Sequence, residues 1–169
     1  IIATGNELVL PGTVTGPDQI VASNGFGIGA FAQKLGADVR DCGIVPDDAV
    51  IIRKTVEKAL AQGTDIIVTL GGASVGDRDL IQPVLAELGI PPGFWKIAMR
   101  PGKPLMYGRA GSSHILGLPG NPVSSLVCGQ LFLAPLLSAL AGRPFLHDIR
   151  TAILTAPMRA NDQQQEYGR

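Results

Sequence analysis

Short apolar runs rich in β-branched residues alternate along this chain with stretches whose apolar residues return every three or four positions. That alternation predicts an α/β domain. Ile1-Ile2-Ala3-Thr4 reads as a strand, and residues 5–22, punctuated by Gly5, Pro11, Gly12, Gly16 and Pro17, read as a loop. A helix should begin at Ser23 or Asn24, either of which can cap it, and end at Gly36. Residues 39–45 predict a strand that Pro46 stops. Asp47 or Asp48 then caps a helix whose Ile52, Val56, Ala59 and Leu60 share one face and which Gly63 ends.

Residues 65–70 form a short, β-branched buried-strand pattern, closed by Gly71-Gly72. A helix over about 80–88 follows. Residues 94–99, 105–108 and 114–118 predict three more strands, the last two joined as a hairpin through Ala110-Gly111-Ser112-Ser113. A long helix starts at Asn121 with Pro122 at its first position, should bend at Pro135, and closes at Gly142. Residues 149–155 predict one more strand, and the polar run 161–169 reads as a lead-in to another module.

Composition narrows the function. The 169 residues suffice for one domain with a sizeable core, and 46% apolar against 17% charged residues suits a sheet covered on both faces. Fourteen basic residues balance fourteen acidic ones, so no global field favours nucleic acid or anionic lipid, and any anion site must be local. Cys42 and Cys128 are too few and too far apart for a disulfide framework and read as reduced core residues. Two histidines, His114 and His147, make a His-rich zinc site an unattractive expectation. No uninterrupted apolar run reaches about 18 residues, so no membrane span is expected. The chain opens at Ile1-Ile2, inside an apolar run and without methionine, and reads as a segment of a longer protein.

The chemistry gathers in loops that follow strands. Ligands of open α/β sheets bind beyond the carboxyl ends of the strands. Thr4-Gly5-Asn6-Glu7-Leu8 places Glu7 after the first strand, where alone it reads as a solvated acid. Pro46-Asp47-Asp48 offers two acids, of which one is enough for capping. Gly71-Gly72-Ala73-Ser74-Val75-Gly76-Asp77-Arg78-Asp79 is the strongest signal. Its glycines allow close backbone approach, its free N–H groups can meet a phosphate, and Asp77 and Asp79 are hard oxygen donors suited to magnesium. The glycine spacing is neither that of a P-loop nor that of the dinucleotide fingerprint.

In Lys96-Ile97-Ala98-Met99-Arg100-Pro101-Gly102-Lys103-Pro104, three cations lie within eight residues between stiffening prolines. Lys96 is expected inside a strand. Leu118-Pro119-Gly120-Asn121-Pro122 has good helix-start chemistry, and a helix N-terminus also receives anions. Acids, cations and bare backbone donors together suit a phosphorylated ligand bound with a divalent metal. No histidine stands at a spacing that would activate a serine or cysteine.

These motifs, in this order, resemble the molybdopterin molybdotransferase family, the MoeA and gephyrin E-domain type, across roughly residues 1–142. The pairing of Pro101-Gly102-Lys103-Pro104 with Leu118-Pro119-Gly120-Asn121-Pro122 is the most specific part. The resemblance implies a three-layer α/β/α sandwich with a mostly parallel sheet over residues 1–148, truncated at its N-terminus. Residues 149–169 would then begin a C-terminal β-barrel domain or the linker to it. It implies a cytoplasmic, magnesium-dependent reaction of molybdate with adenylylated molybdopterin that releases AMP and yields molybdenum cofactor.

By position, Glu7, Asp47, Asp79, Lys96, Arg100 and Lys103 would be the catalytic set, and Glu7, Asp77 and Asp79 the metal ligands. Gly71, Gly72, Ser74, Gly76, Pro119, Gly120, Asn121 and Pro122 would line the pterin-nucleotide pocket. The family usually has Asp where this chain has Asn6, which keeps an oxygen and loses a charge. The implied partners are a second copy in a homodimer and a molybdopterin adenylyltransferase. Two other readings are a molybdopterin adenylyltransferase of related fold and a non-catalytic scaffold that keeps the fold without the chemistry. Against the first, Leu80-Ile81-Gln82-Pro83 follows Asp79 where that sister family would show a TGxxxRDxTPE-like stretch.

Overall fold

The computed structural model describes residues 1–72, 80–147, 149–153, 155–157 and 163–167. Its centre is a six-stranded sheet. Strands β1 (Ile2–Thr4), β2 (Leu8–Val9) and β3 (Ile20–Val21) come first, then helix α1 (Asn24–Lys34) and β4 (Ile44–Val45). Helix α2 (Ala49–Ala61) leads to β5 (Ile66–Leu70), and α3 (Ile81–Glu87) to β6 (Pro92–Trp95). After β7 (Met99–Arg100), β8 (Met106–Ala110) and β9 (Ser113–Leu118) come helices α4 (Pro122–Cys128) and α5 (Ala134–Leu140), and finally β10 (Gln165–Glu166). The main sheet has the order β4-β1-β5-β9-β8-β6. β4, β1, β5 and β9 run parallel, while β8 is antiparallel to both β9 and β6.

Side-chain alternation sends each strand's residues to two cores. Ile2, Ile67 and Ile115 point to the face covered by α2 and α3; Ala3, Val68 and Leu116 point to the face covered by α1 and the run from α4 to α5. The fold is thus a three-layer α/β/α sandwich with a mostly parallel sheet, as the sequence predicted. The chain leaves β1 through α1 towards β4, then crosses to β5 through α2, and leaves β5 towards β9. Connections therefore part in opposite directions between β1 and β5, which makes the crevice at their carboxyl ends the topological switch point.

Local chemistry explains the helix starts. Asp48, not Asp47, caps α2: its Oδ1 accepts from the backbone N–H of Val50 at 2.8 Å and Ile51 at 3.0 Å. Asp48→Ala should therefore lower stability by about 1 kcal/mol, measured as a denaturant midpoint, and leave anion binding at the far end of the sheet unchanged. Asn121 caps α4 by accepting from Ser124 N–H at 3.1 Å, with Pro122 at the first helical position. Ser23 occupies the cap position of α1 but makes no capping bond; Asn24 points elsewhere, as described below.

The last helical run, Pro122–Leu140, is interrupted at Gly129–Leu133 by a π-type turn. Pro135 follows two residues after its end. It lacks an N–H and its ring would crowd the carbonyl four residues back, so the wider turn relieves the helix just ahead of it. The nineteen residues are long and apolar enough on average to cross a membrane, although the polar residues scattered among them break any continuous apolar run. One side of the run, with Cys128 and Leu133, is nonetheless built into the core beside α1.

Several elements differ from the sequence reading. The loop 5–22 contains the parallel pair β2–β3, closed by Ile20 N–H to the Glu7 carbonyl at 2.8 Å and Ala22 N–H to the Val9 carbonyl at 2.9 Å. The strand expected over 39–45 is regular only at Ile44–Val45. Upstream, Asp41 turns the chain by accepting from Gly43 N–H at 2.9 Å, and Cys42 is exposed rather than buried. Cys128 is buried, and desolvation pushes its thiol up to about 12. The strand expected over 94–99 starts earlier and stops at Trp95, leaving Lys96 outside it and exposed. Residues 149–153 form no strand, and Ile149 and Ile153 lie 84% and 96% exposed. The polar tail instead pairs β10 with β7.

A cavity of about 670 Å3 lies at the amino ends of β1 and β5, lined by Ile1, Ile66, Ala32, Leu137 and Arg143 among others. Within β5, β1 pairs with Thr69 and Leu70, the last two residues, so the lower half of β5 faces this space. It is at the edge opposite the loops that hold the candidate chemistry.

Candidate active site

Six strand ends meet at one rim of the sheet. The registers Ala3↔Leu70 and Leu70↔Leu118 align the carboxyl ends of β1, β5 and β9, and Thr4↔Val45 adds β4. Gly117↔Met106 and Trp95↔Met106 bring the start of β8 and the end of β6 to the same rim. The predicted loops therefore share an edge in the order Asp47, Glu7, Gly71-Gly72, Pro119-Gly120-Asn121, Lys103, Lys96. With neighbouring strands about 4.8 Å apart, the step from β1 to β8 is about 14 Å. Ser74, Gly76, Asp77 and Asp79 lie outside the described residues.

The acidic end is a paired turn. Asn6 N–H donates to Asp47 Oδ2 at 3.2 Å, and Asp47 N–H donates to Asn6 Oδ1 at 3.1 Å. This reciprocal pair ties the loop after β1 to the loop after β4 and answers what Asp47 does while Asp48 caps the helix. Glu7 folds back over the end of β1, so closely that a Cβ on Gly5 would fall 2.6 Å from Glu7 Oε2. The side chains of Asn6 and Glu7 are exposed at the rim.

The middle of the rim is bare backbone. Gly71 and Gly72 have φ of +86° and +64°, and a Cβ on Gly71 would lie 2.7 Å from the Thr4 carbonyl oxygen. Only glycine accommodates both the left-handed conformation and that crossing. Gly71 N–H donates to the Leu118 carbonyl at 3.3 Å, and Gly120 packs over Gly71. Asn24 Nδ2 donates to the Gly120 carbonyl at 2.7 Å, and buried Ser125 Oγ donates to the Pro119 carbonyl. Pro119 is itself buried and serves to seat this turn, while Gly120, Asn121 and Pro122 are exposed.

The cationic end is a stapled loop. Lys96 N–H donates to the Leu105 carbonyl and Ile97 N–H to the Lys103 carbonyl, both at 2.9 Å, and Leu105 N–H donates to the Gly102 carbonyl at 3.1 Å. Met99 and Leu105 are buried, and Gly102 sits against Met99 and Cys128 with no room for a side chain. Lys96, Arg100 and Lys103 are all exposed. β10 adds a second layer, with Gln165 N–H to the Ala98 carbonyl at 2.8 Å and Tyr167 N–H to the Arg100 carbonyl at 2.7 Å.

Thr4, Asn24, Ser125 and Trp95 belong to this rim and were not read from the sequence as site residues. Asn24 and Ser125 act through contacts about a hundred and six residues away respectively, and the first of these leaves no local signal. Trp95, the chain's single tryptophan, could have drawn attention by composition alone.

The donors at the acidic end suit a hard cation such as magnesium: Glu7 and Asp47 offer carboxylate oxygens and Asn6 an amide oxygen. Among the described residues no three acidic, His or Cys side chains cluster as a metal cage. Magnesium is commonly held by one or two carboxylates together with water and substrate phosphates, so the residues present fit it.

A family model described as a probable molybdopterin binding domain matches residues 1–139. The chain is 38% identical over 143 residues to the molybdopterin molybdenumtransferase of Haemophilus influenzae, covering 85% of this chain and 35% of that protein. It is 35% identical over 167 residues to molybdopterin molybdenumtransferase 2 of Mycobacterium tuberculosis, covering 93% and 41%. Among solved structures, a molybdopterin biosynthesis moeA protein from Pyrococcus horikoshii superimposes with a TM-score of 0.74 at 36% identity, over 84% of this chain and 34% of that one. The chain thus spans well under half the length of these relatives.

Proposed function

Because this chain belongs to the molybdopterin binding domain family, we propose that it is the active-site domain of a molybdopterin molybdotransferase, which inserts molybdenum from molybdate into adenylylated molybdopterin and releases AMP. The observation that carries this reading is the division of one rim into an acidic end, a bare glycine crevice and a cationic end, at the switch point of the sheet. A ligand with phosphates in its middle and different groups at its ends needs such a sequence of surfaces. The names of the relatives favour molybdenum insertion over adenylyl transfer.

In this reading the glycine backbone at residues 71–72 lets the ligand lie close to the sheet, and Ser74 and Gly76 would contribute to the same pocket, as the motif resemblance implies. Arg100 and Lys103 grip phosphate oxygens or molybdate, Arg100 as a planar fork and Lys103 as a point charge. Lys96 adds a third charge at the outer strand. Exposed cations held on a stapled loop stabilise negative charge with little reorganisation when it develops. Glu7, Asp77 and Asp79 would hold magnesium, which would neutralise phosphate charge when bound. Asp47 fixes Asn6 and so the start of the acidic loop. By the resemblance of its motifs, the full-length protein would be a cytoplasmic homodimer that takes its substrate from a molybdopterin adenylyltransferase.

The test is AMP release by the full-length protein given purified adenylylated molybdopterin. Release should require both molybdate and a divalent cation. Release at the same rate without molybdate would assign the domain to a different reaction.

A further inference from the structure

At the outer end of the rim, β6 stops at Trp95 and the chain turns sharply. Lys96 has φ of +65°, the left-handed region, and among the described residues no other non-glycine residue adopts it. The turn brings the lysine's Nζ 3.8 Å from the centroid of the preceding indole ring. Among the described residues no carboxylate lies within ion-pair distance of Lys96. Its ammonium therefore rests on a π face rather than on a counter-ion.

Trp95 is itself anchored. It packs against the core under α2 and α3, and its Nε1 is buried without a hydrogen-bond partner among the described residues. A buried indole N–H normally finds a partner, so this ring is not seated by its own polar atom. What its placement provides is a flat apolar-backed surface at the point where Lys96 leaves the sheet.

We infer that Trp95 is a positioning residue for Lys96: its ring holds the ammonium at the rim, uncommitted to any carboxylate, in the place where a phosphate-bearing ligand meets it, and the contact persists when the ligand binds. A carboxylate in the same place would neutralise the lysine and compete with the ligand, whereas a cation–π contact orients the ammonium and leaves its charge and its donors to the ligand. The backbone turn at Lys96 fixes the direction of the side chain, and the ring fixes its height. The inference rests on the reading of Lys96 as an anion-gripping group, and its test separates the two.

The full chain is studied as wild type, W95F, W95L and K96M, each checked for folding by circular dichroism. Ring-current shifts of the Lys96 ε-methylene protons report the stacking without any ligand. They should be displaced upfield in wild type and W95F and return to ordinary lysine values in W95L. Unshifted protons in wild type overturn the inference outright.

AMP is then titrated by calorimetry. Its affinity should fall about threefold in W95L, be restored to within about twofold of wild type in W95F, and fall furthest in K96M. The single tryptophan makes emission site-specific, so AMP should change it in wild type and change it much less in K96M. A folded W95L that binds AMP as tightly as wild type removes Trp95 from the positioning role. If K96M binds AMP normally while the ring-current shift is present, the stacking stands and the anion-gripping reading of Lys96 fails instead.

Discussion

Gly71→Ala should lower stability by about 2–5 kcal/mol and abolish binding of the adenylylated ligand. The first contribution is conformational: a left-handed backbone costs an L-residue about 1–2 kcal/mol, and Gly71 has φ +86°. The second is steric. The new methyl would sit 2.7 Å from the Thr4 carbonyl oxygen, and that oxygen belongs to a strand held by pairing on both sides. Overpacking against an element that cannot move costs about 1–3 kcal/mol. Gly111→Ala is the control, because Gly111 also has positive φ, +59°, but nothing lies within 4 Å of an added Cβ. Denaturant midpoints measured side by side should separate the two variants by the steric part alone. Equal midpoints would mean that β1 and the loop after β5 do not cross so closely, and the crevice between them would lose its floor.

Lys103→Met should weaken binding of AMP or of the adenylylated pterin by about 10- to 100-fold while leaving stability unchanged. A hydrogen bond to a charged group contributes about 1.5–3 kcal/mol, and about 1.4 kcal/mol corresponds to tenfold. Stability should not move because the ammonium is exposed and the loop is stapled by backbone bonds from Ile97 to Lys103 and from Leu105 to Gly102. Lys34→Met makes the comparison, since Lys34 is an exposed cation in the last turn of α1, away from the rim. Affinity measured at low and moderate ionic strength should fall steeply for wild type and less so for K103M, as one phosphate contact is lost. If K34M loses as much affinity as K103M, the ligand senses net charge and no specific grip exists at the cationic end.

The parts of this fold that were legible in the sequence are those whose cause is local. Residues 66–70 form a strand because five β-favouring positions stand between Asp65 and two glycines, and β5 follows the pattern closely. Asn121-Pro122 begins a helix because cap and first-turn chemistry sit next to each other. The candidate rim was legible for a related reason: each loop carries its own chemistry, and the parallel topology places loop after loop on one edge.

What escaped the sequence depends on distant partners. The pair β2–β3 consists of two-residue strands that only each other's backbone reveals. Asp47 and Asp48 are indistinguishable as local caps until Asn6 arrives from forty-one residues away to engage one of them. Asn24 looked like a cap and serves as a brace for Gly120. Cys42 looked like a core residue because cysteines usually are, but the Asp41 turn lifts it to the surface. The strand expected over 149–155 shows the converse error, since an apolar alternation with no sheet edge to join remains irregular over 149–153.

The strand order also makes the rim a gauge of molecular length. Glu7 and Lys103 stand three strand positions apart, with the glycine crevice between them. A short anion can engage one extreme and leaves the other idle, whereas a molecule that bridges both gains the two grips within a single encounter, and linked contacts multiply rather than add in affinity. Cutting such a molecule in its middle leaves each fragment with one grip. Under the proposed reaction, scission of the phosphate link would thus loosen both products at once, and turnover would need no gate to expel them.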